Sequence, residues 1–219
     1  MNITSMGQQV ESGETLARRL VLCGVIAGPL FIGASLVQAL TRSGFSLTTH
    51  AISLLLLGDS GWVQFANFGV TGLLSIAFAV GVWRLQHWGS LLIGAYGVLL
   101  IAAACCKPDP AFGFPPGSPE GAGSTISGHA TLHSLAFFGL VLAVIAACFV
   151  YARRFRALKL RAWANYCVAT ALGTPILLFA GMGLSATGKG GLPLLGVAVA
   201  TSAWLTTIAV RLRMDSRPR

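Results

Sequence analysis

Residues 20–41 read LVLCGVIAGPLFIGASLVQALT, twenty-two positions without an Asp, Glu, Lys or Arg. A helix of roughly 20 apolar residues spans the hydrocarbon core of a bilayer. Only a backbone that satisfies its own hydrogen bonds can cross lipid. Outward from this stretch, five more uncharged runs of similar length follow, at 60–83, 85–106, 121–152, 162–188 and 190–210. The expectation is an all-α, polytopic membrane bundle of six transmembrane helices. Any polar group set deep in these runs then needs a reason.

Composition agrees with that reading. Of 219 residues, 55% are hydrophobic and 10% charged, too few charges for the surface of a soluble globule. Six helices and their connections use nearly the whole length. They leave one transmembrane domain, 20–211, between a polar N-terminal tail, 1–19, and a basic C-terminal tail, 212–219. The net charge of +9 reads as an orientation signal, not as nucleic-acid affinity. With the N-terminus in the cytoplasm, the inner segments carry Arg18, Arg19, Arg84, Arg153, Arg154, Arg156, Lys159, Arg161, Arg211, Arg213, Arg217 and Arg219; the outer ones carry Arg42, Lys107 and Lys189. Twelve against three follows the excess of Lys and Arg found on cytoplasmic loops. Both termini are therefore expected in the cytoplasm, and the basic run 153–161 is expected to meet anionic headgroups of membrane lipids.

Residues 43–58 also lack charge, but this segment is 16 residues long and Ser/Thr-rich in its first half. If it crossed, every later loop would change sides. It is expected to form an outer re-entrant or interfacial helix, residues 50–57, on the membrane face. Gly24 and Gly28, four apart, predict close approach of another helix to the first. The connection from Lys107 to about Thr125 contains five prolines and four glycines. It cannot be helical, and its stiffness suits a cap or lid.

The fourth helix opens with the candidate caps Ser124, Thr125 and Ser127, then His129 and His133. Four apart, the two histidines share a helix face. The positive end of the helix dipole disfavours imidazolium there, and a neutral ring is what a metal requires. The spacing is that of many zinc sites; it serves equally for two interfacial histidines bonded to neighbours or water. His50, Ser53, Asp59 and Asp109 fall on the same outer side. Asp109, between Pro108 and Pro110, suits a ligand or an orienting group as well as a plain turn. Asp59 is most simply the cap before the second helix. His50 and Ser53, three apart, face the same way. Together these groups can build one pocket at the outer mouth of the bundle. In it His50, His129, His133 and Asp109 would hold zinc, and Ser53, Asp59 and Asp109 would act as catalytic groups.

His50-Ala51-Ile52-Ser53, Asp109-Pro110 after the third helix, and Gly128-His129 with His133 opening the fourth resemble the domain-of-unknown-function 998 family of six-helix membrane proteins. The resemblance covers nearly the whole chain and implies a multi-pass protein of a bacterial or archaeal cell membrane. It implies no activity. Two positions depart from the family pattern. Four leucines separate Ser53 from Gly58, and Gly190-Gly191-Leu192-Pro193 replaces an acidic–basic pair before the last helix. In combining Ser, Asp and three His, the chain is also faintly similar to the alkaline ceramidase and adiponectin-receptor superfamily. Those proteins have seven helices and another motif order, so the likeness is an analogy.

Two functional readings stay open. One is a metal-dependent hydrolase acting on a lipid or amide at the outer face, with zinc-bound water as nucleophile. The other is a non-enzymatic membrane binding, transport or assembly protein whose histidines sense metal or pH. The runs hold no charge in mid-membrane and show no inverted repeat, which weighs against ion-coupled transport.

Overall fold

The computed structural model describes residues 3–121, 123 and 125–215; Ser124, one of the candidate caps, and the tail positions 1–2 and 216–219 lie outside the described residues. Six helices form: α1 (Ile3–Thr41), α2 (Gly61–Val82), α3 (His87–Cys105), α4 (Gly128–Ala157), α5 (Arg161–Ser185) and α6 (Gly191–Asp215). All six contain stretches long and apolar enough to cross a membrane, and there is no strand among the described residues. Each helix packs on its neighbours in the chain, and α6 returns to α1. The bundle is therefore a closed ring. Short turns at 83–86 and 158–160 lie at the end that holds both termini; the connections 42–60, 106–127 and 186–190 lie at the other, the long-loop end.

Small residues let the ring close. A Cβ added at Gly24 would sit 2.6 Å from the Phe78 ring and 2.8 Å from Ala209 Cβ; at Gly28 it would sit 2.5 Å from the Ser202 carbonyl oxygen. The Gly24/Gly28 pair thus admits α2 and α6 against α1, as its spacing predicts. Leu40, Leu73, Leu142, Ile176 and Phe179 are exposed on the outside of the ring, where lipid would cover them. Trp62 at the long-loop end, and Trp83 and Trp88 at the terminal end, are also exposed, at the levels where aromatic belts mark the two membrane interfaces.

Within the α1–α2 seam lies a buried polar cluster that the search for charged residues overlooks. Gln38 Nε2 donates to Gln64 Oε1 at 2.6 Å, and Asn67 Nδ2 donates to the Phe31 carbonyl at 3.1 Å. Gln64 Nε2 donates to Ser35 Oγ at 3.0 Å and to the Ile52 carbonyl at 3.3 Å. In lipid such bonds join helices that apolar contact alone does not hold.

The segment after α1 does not cross and is helical as expected, though over fewer residues than 50–57. It forms one 3₁₀ turn, Ile52–Leu56, with Ile52, Leu54, Leu55 and Leu56 buried. An interfacial helix needs a polar face, and four successive leucines supply none. They plug the ring instead. Two carbonyls of the plug are committed to a side chain: Arg42 Nη1 donates to the Leu55 carbonyl at 2.5 Å and Nη2 to that of Leu57. Gly58, at φ +71°, turns the chain back toward α2 in a conformation that favours glycine.

Candidate functional site

The described part of the connection after α3 lies over the plug as a lid, through Phe112 and Phe114. Phe114, 1% exposed, packs edge-on against Phe45 with ring centroids 5.1 Å apart and lies 5.5 Å from the His50 ring. The Arg42 guanidinium stands 5.1 Å from the Phe114 centroid, within cation–π range. Arg42 therefore holds plug and lid together. Burial keeps its guanidinium below the ordinary value, and the charge of Asp59 opposes that shift. Asp59 itself is exposed. It is not the cap of α2: that position is Ser60, which makes no side-chain cap bond.

His50 is buried between the same two segments. Its Nδ1 accepts the Ser46 N–H at 2.9 Å, which leaves the proton on Nε2. Nε2 then donates to the Phe112 carbonyl at 2.9 Å. His50 staples plug to lid through both ring nitrogens. Asp109 closes the lid's other side by accepting the Ser127 N–H at 2.8 Å. Ser127 is the cap of α4, accepting the Ala130 N–H at 3.1 Å. The hydrogen bonds from Ser127, side chain first and backbone second, hold the Asp109 carboxyl below its ordinary value.

The two histidines of α4 part company. His129 is exposed, whereas His133 is buried. His133 Nδ1 lies 2.8 Å from both the Ala103 and Cys106 carbonyls at the end of α3. It must carry the proton, so a neutral ring has a bare lone pair on Nε2. No group of three or more His, Cys, Asp or Glu side chains stands placed to hold a metal ion among the described residues. The donor set expected from His50, Asp109, His129 and His133 is thus not assembled: two of them are tied to backbone carbonyls, one is tied to the α4 cap, and one is exposed.

Beneath the lid and inside the ring is a cavity of 360 Å³. All six helices contribute to its wall, with Phe31, Phe68, Leu100, Phe137, Leu178 and Val197 among its apolar groups. Its polar groups include Ser53, Tyr96, His133, Ser134, Ser185 and Thr201, and no Asp, Glu, Lys or Arg among the described residues lines it. Of the residues singled out in the sequence, Ser53 and His133 reach this wall; His50, Asp59, Asp109 and His129 do not. The reading by motif missed the wall's aromatic groups and missed Arg42. A cue to Arg42 was there: a lone cation just past an apolar run, followed by a segment with few helical partners for its carbonyls.

A ring of six membrane-length helices around a capped, uncharged cavity defines a multi-pass membrane protein. The family described as "Protein of unknown function (DUF998)" matches residues 25–211, and the chain belongs to that family. No curated protein and no solved structure matches the chain.

Proposed function

We propose that the protein binds a lipid-like molecule, holding its apolar part in the cavity inside the ring. The observation that carries this reading is the 360 Å³ space with an apolar wall and few polar groups. Small-molecule sites run from about 300 to 1,000 Å³ and have that mixture of lining groups. The volume is at the low end, which suits one acyl or isoprenyl chain better than a two-chain phospholipid. The Lys/Arg distribution supports a cytoplasmic placement of the terminal end. On that placement the cavity opens toward the outer half of a bacterial or archaeal cell membrane.

The test is lipid retention. Wild-type protein purified in detergent is expected to carry a lipid that organic extraction and mass spectrometry detect. Ala198→Trp, on the cavity wall, should fold and lose it. Equal retention by both proteins would remove the reading.

Hydrolysis of the bound lipid or amide is a second reading. It is favoured by one observation, that Ser53 and His133 share the cavity wall. Release of free acid from a bound acyl ester or amide, abolished in Ser53→Ala, would support it; retention without turnover leaves the binding role alone.

A further inference from the structure

Resting on the proposed lipid site, we infer that its ligand is a neutral single-chain lipid bearing a hydroxyl, which donates to Nε2 of His133, and that carboxylate, phosphate and sulfate lipids are refused. Three hydroxyls on the wall have their protons already committed. Ser134 Oγ donates to the Ala130 carbonyl at 2.9 Å, and Ser185 Oγ to the Gly181 carbonyl at 2.7 Å. Thr201 Oγ1 donates to the Val197 carbonyl at 2.9 Å. Each of these hydroxyls has committed its proton to its own helix and offers only lone pairs to the cavity. His133 has done the same with Nδ1, committed to two α3 carbonyls at 2.8 Å. It is 6% exposed, lines the cavity, and no group among the described residues bonds its Nε2.

The wall is thus rich in acceptors. A headgroup composed only of acceptors finds no cation to neutralise it, since no Lys or Arg among the described residues lines the cavity. Burying an unpaired anion there is strongly unfavourable. A bare ammonium finds no carboxylate among the described residues of the wall. A hydroxyl gives His133 Nε2 the proton it lacks. It can also accept from Tyr96 or Ser53, whose hydroxyls line the same space. Nitrogen-linked amides satisfy the donor rule too, but a hydroxyl makes the smaller demand on a cavity of 360 Å³.

The experiment uses the full-length protein in lipid nanodiscs with three photo-crosslinking probes of one chain length: a long-chain alcohol, the matching carboxylic acid and the matching alkyl sulfate. Labelled peptides are mapped by mass spectrometry. The alcohol should label the Phe137 and Phe138 region at least about tenfold more than the sulfate, with the acid between them at neutral pH. His133→Asn places an amide near the Nδ1 position, so that it can still bond the α3 carbonyls, but it lacks Nε2. It should keep chain binding and bring the alcohol-to-sulfate ratio down several-fold. A wild-type ratio near one, or a sulfate preference, overturns the inference while leaving the lipid site standing. An alcohol preference unchanged in a folded His133→Asn overturns the role of Nε2. Absence of labelling at the cavity by any probe overturns the lipid site itself.

Discussion

The two halves of the ring are built from the same six helices and filled differently. At the terminal end, Tyr151, Phe155 and Trp204 are fully buried. Trp204 meets Tyr151 edge-on at 5.8 Å and donates its indole N–H to Cys167 Sγ at 3.4 Å; Phe155 lies 5.9 Å from Trp163. At the long-loop end, a 360 Å³ space takes the place of such an aromatic layer, and residues of the plug and lid form part of its wall. The chain plainly can fill this bore with large side chains, since it does so below. The hollow is a local property of the upper half, and the stapled cap belongs with it. Arg42, His50 and Asp109 are all occupied in holding that cap.

The sharpest way to break this comparison is to truncate one aromatic group from each half. Trp204→Ala should cost about 3–5 kcal/mol, the range for losing a fully packed large side chain. Phe137→Ala borders space that is already open, and should cost about 1 kcal/mol or less by the same cavity argument. Thermal unfolding in detergent should rank them in that order. Equal losses would show that the upper half is as tightly packed as the lower.

Next in size is the cap. Arg42→Ala strands the carbonyls of Leu55 and Leu57 and removes the cation over Phe114. Charge-assisted bonds to partly buried groups support a loss of about 2–3 kcal/mol. The loss should be confined to the long-loop end, seen as protease cleavage within 106–127 while the helices stay protected. Arg42→Lys should restore part of this, because one ammonium cannot reproduce the two-pronged geometry. Uniform loosening of all six helices would mean that the cap is not a separate unit. Smaller again is Gln64→Leu. Interhelical side-chain bonds in membranes average about 0.6 kcal/mol and reach about 1.7; Gln64 joins both α1 and the plug, so the upper figure is expected.

The fold was legible because lipid imposes so strict a rule. Uncharged length alone located all six helices, and the charge count refused a seventh span at 43–58. That segment's form was not legible. A run of leucines reads as helix, but not as a short 3₁₀ turn whose carbonyls Arg42 takes and which α1, α2 and α6 surround. The site was read in part. His129 and His133 share a face by spacing, but spacing does not reveal that α3 ends on His133 while His129 looks outward. Asp109 was read as locked between its prolines, and its partner, Ser127, was in view only as a cap. The cavity was invisible because it belongs to no motif. Its wall draws residues from every helix, and only the closing of α6 on α1 brings them together.

The smallest expected effect lies at the lid's edge and concerns pH. Asp109 accepts the Ser127 N–H, and the Ser127 bonds hold its carboxyl below the ordinary value. A carboxyl whose folded-state value is depressed contributes stability above its unfolded value, near 3.9, and loses it as pH falls through the folded one. The Asp109 contact should therefore be intact at neutral and mildly acidic pH and weaken only below the ordinary carboxylate range. Because the group is open to water, the effect on global unfolding should be slight and the local effect clear. After correction for intrinsic exchange rates, the Ser127 amide should lose hydrogen-exchange protection in strong acid, while amides in the middle of α4 keep theirs. Asp109→Asn should show at neutral pH the weakened protection that wild type reaches only in acid, since a neutral amide oxygen is the poorer acceptor. The terminal end has no such pair at its short turns among the described residues. Its amides at 158–160 should therefore show no matching acid step, and a step of equal size there would place the titration elsewhere in the molecule.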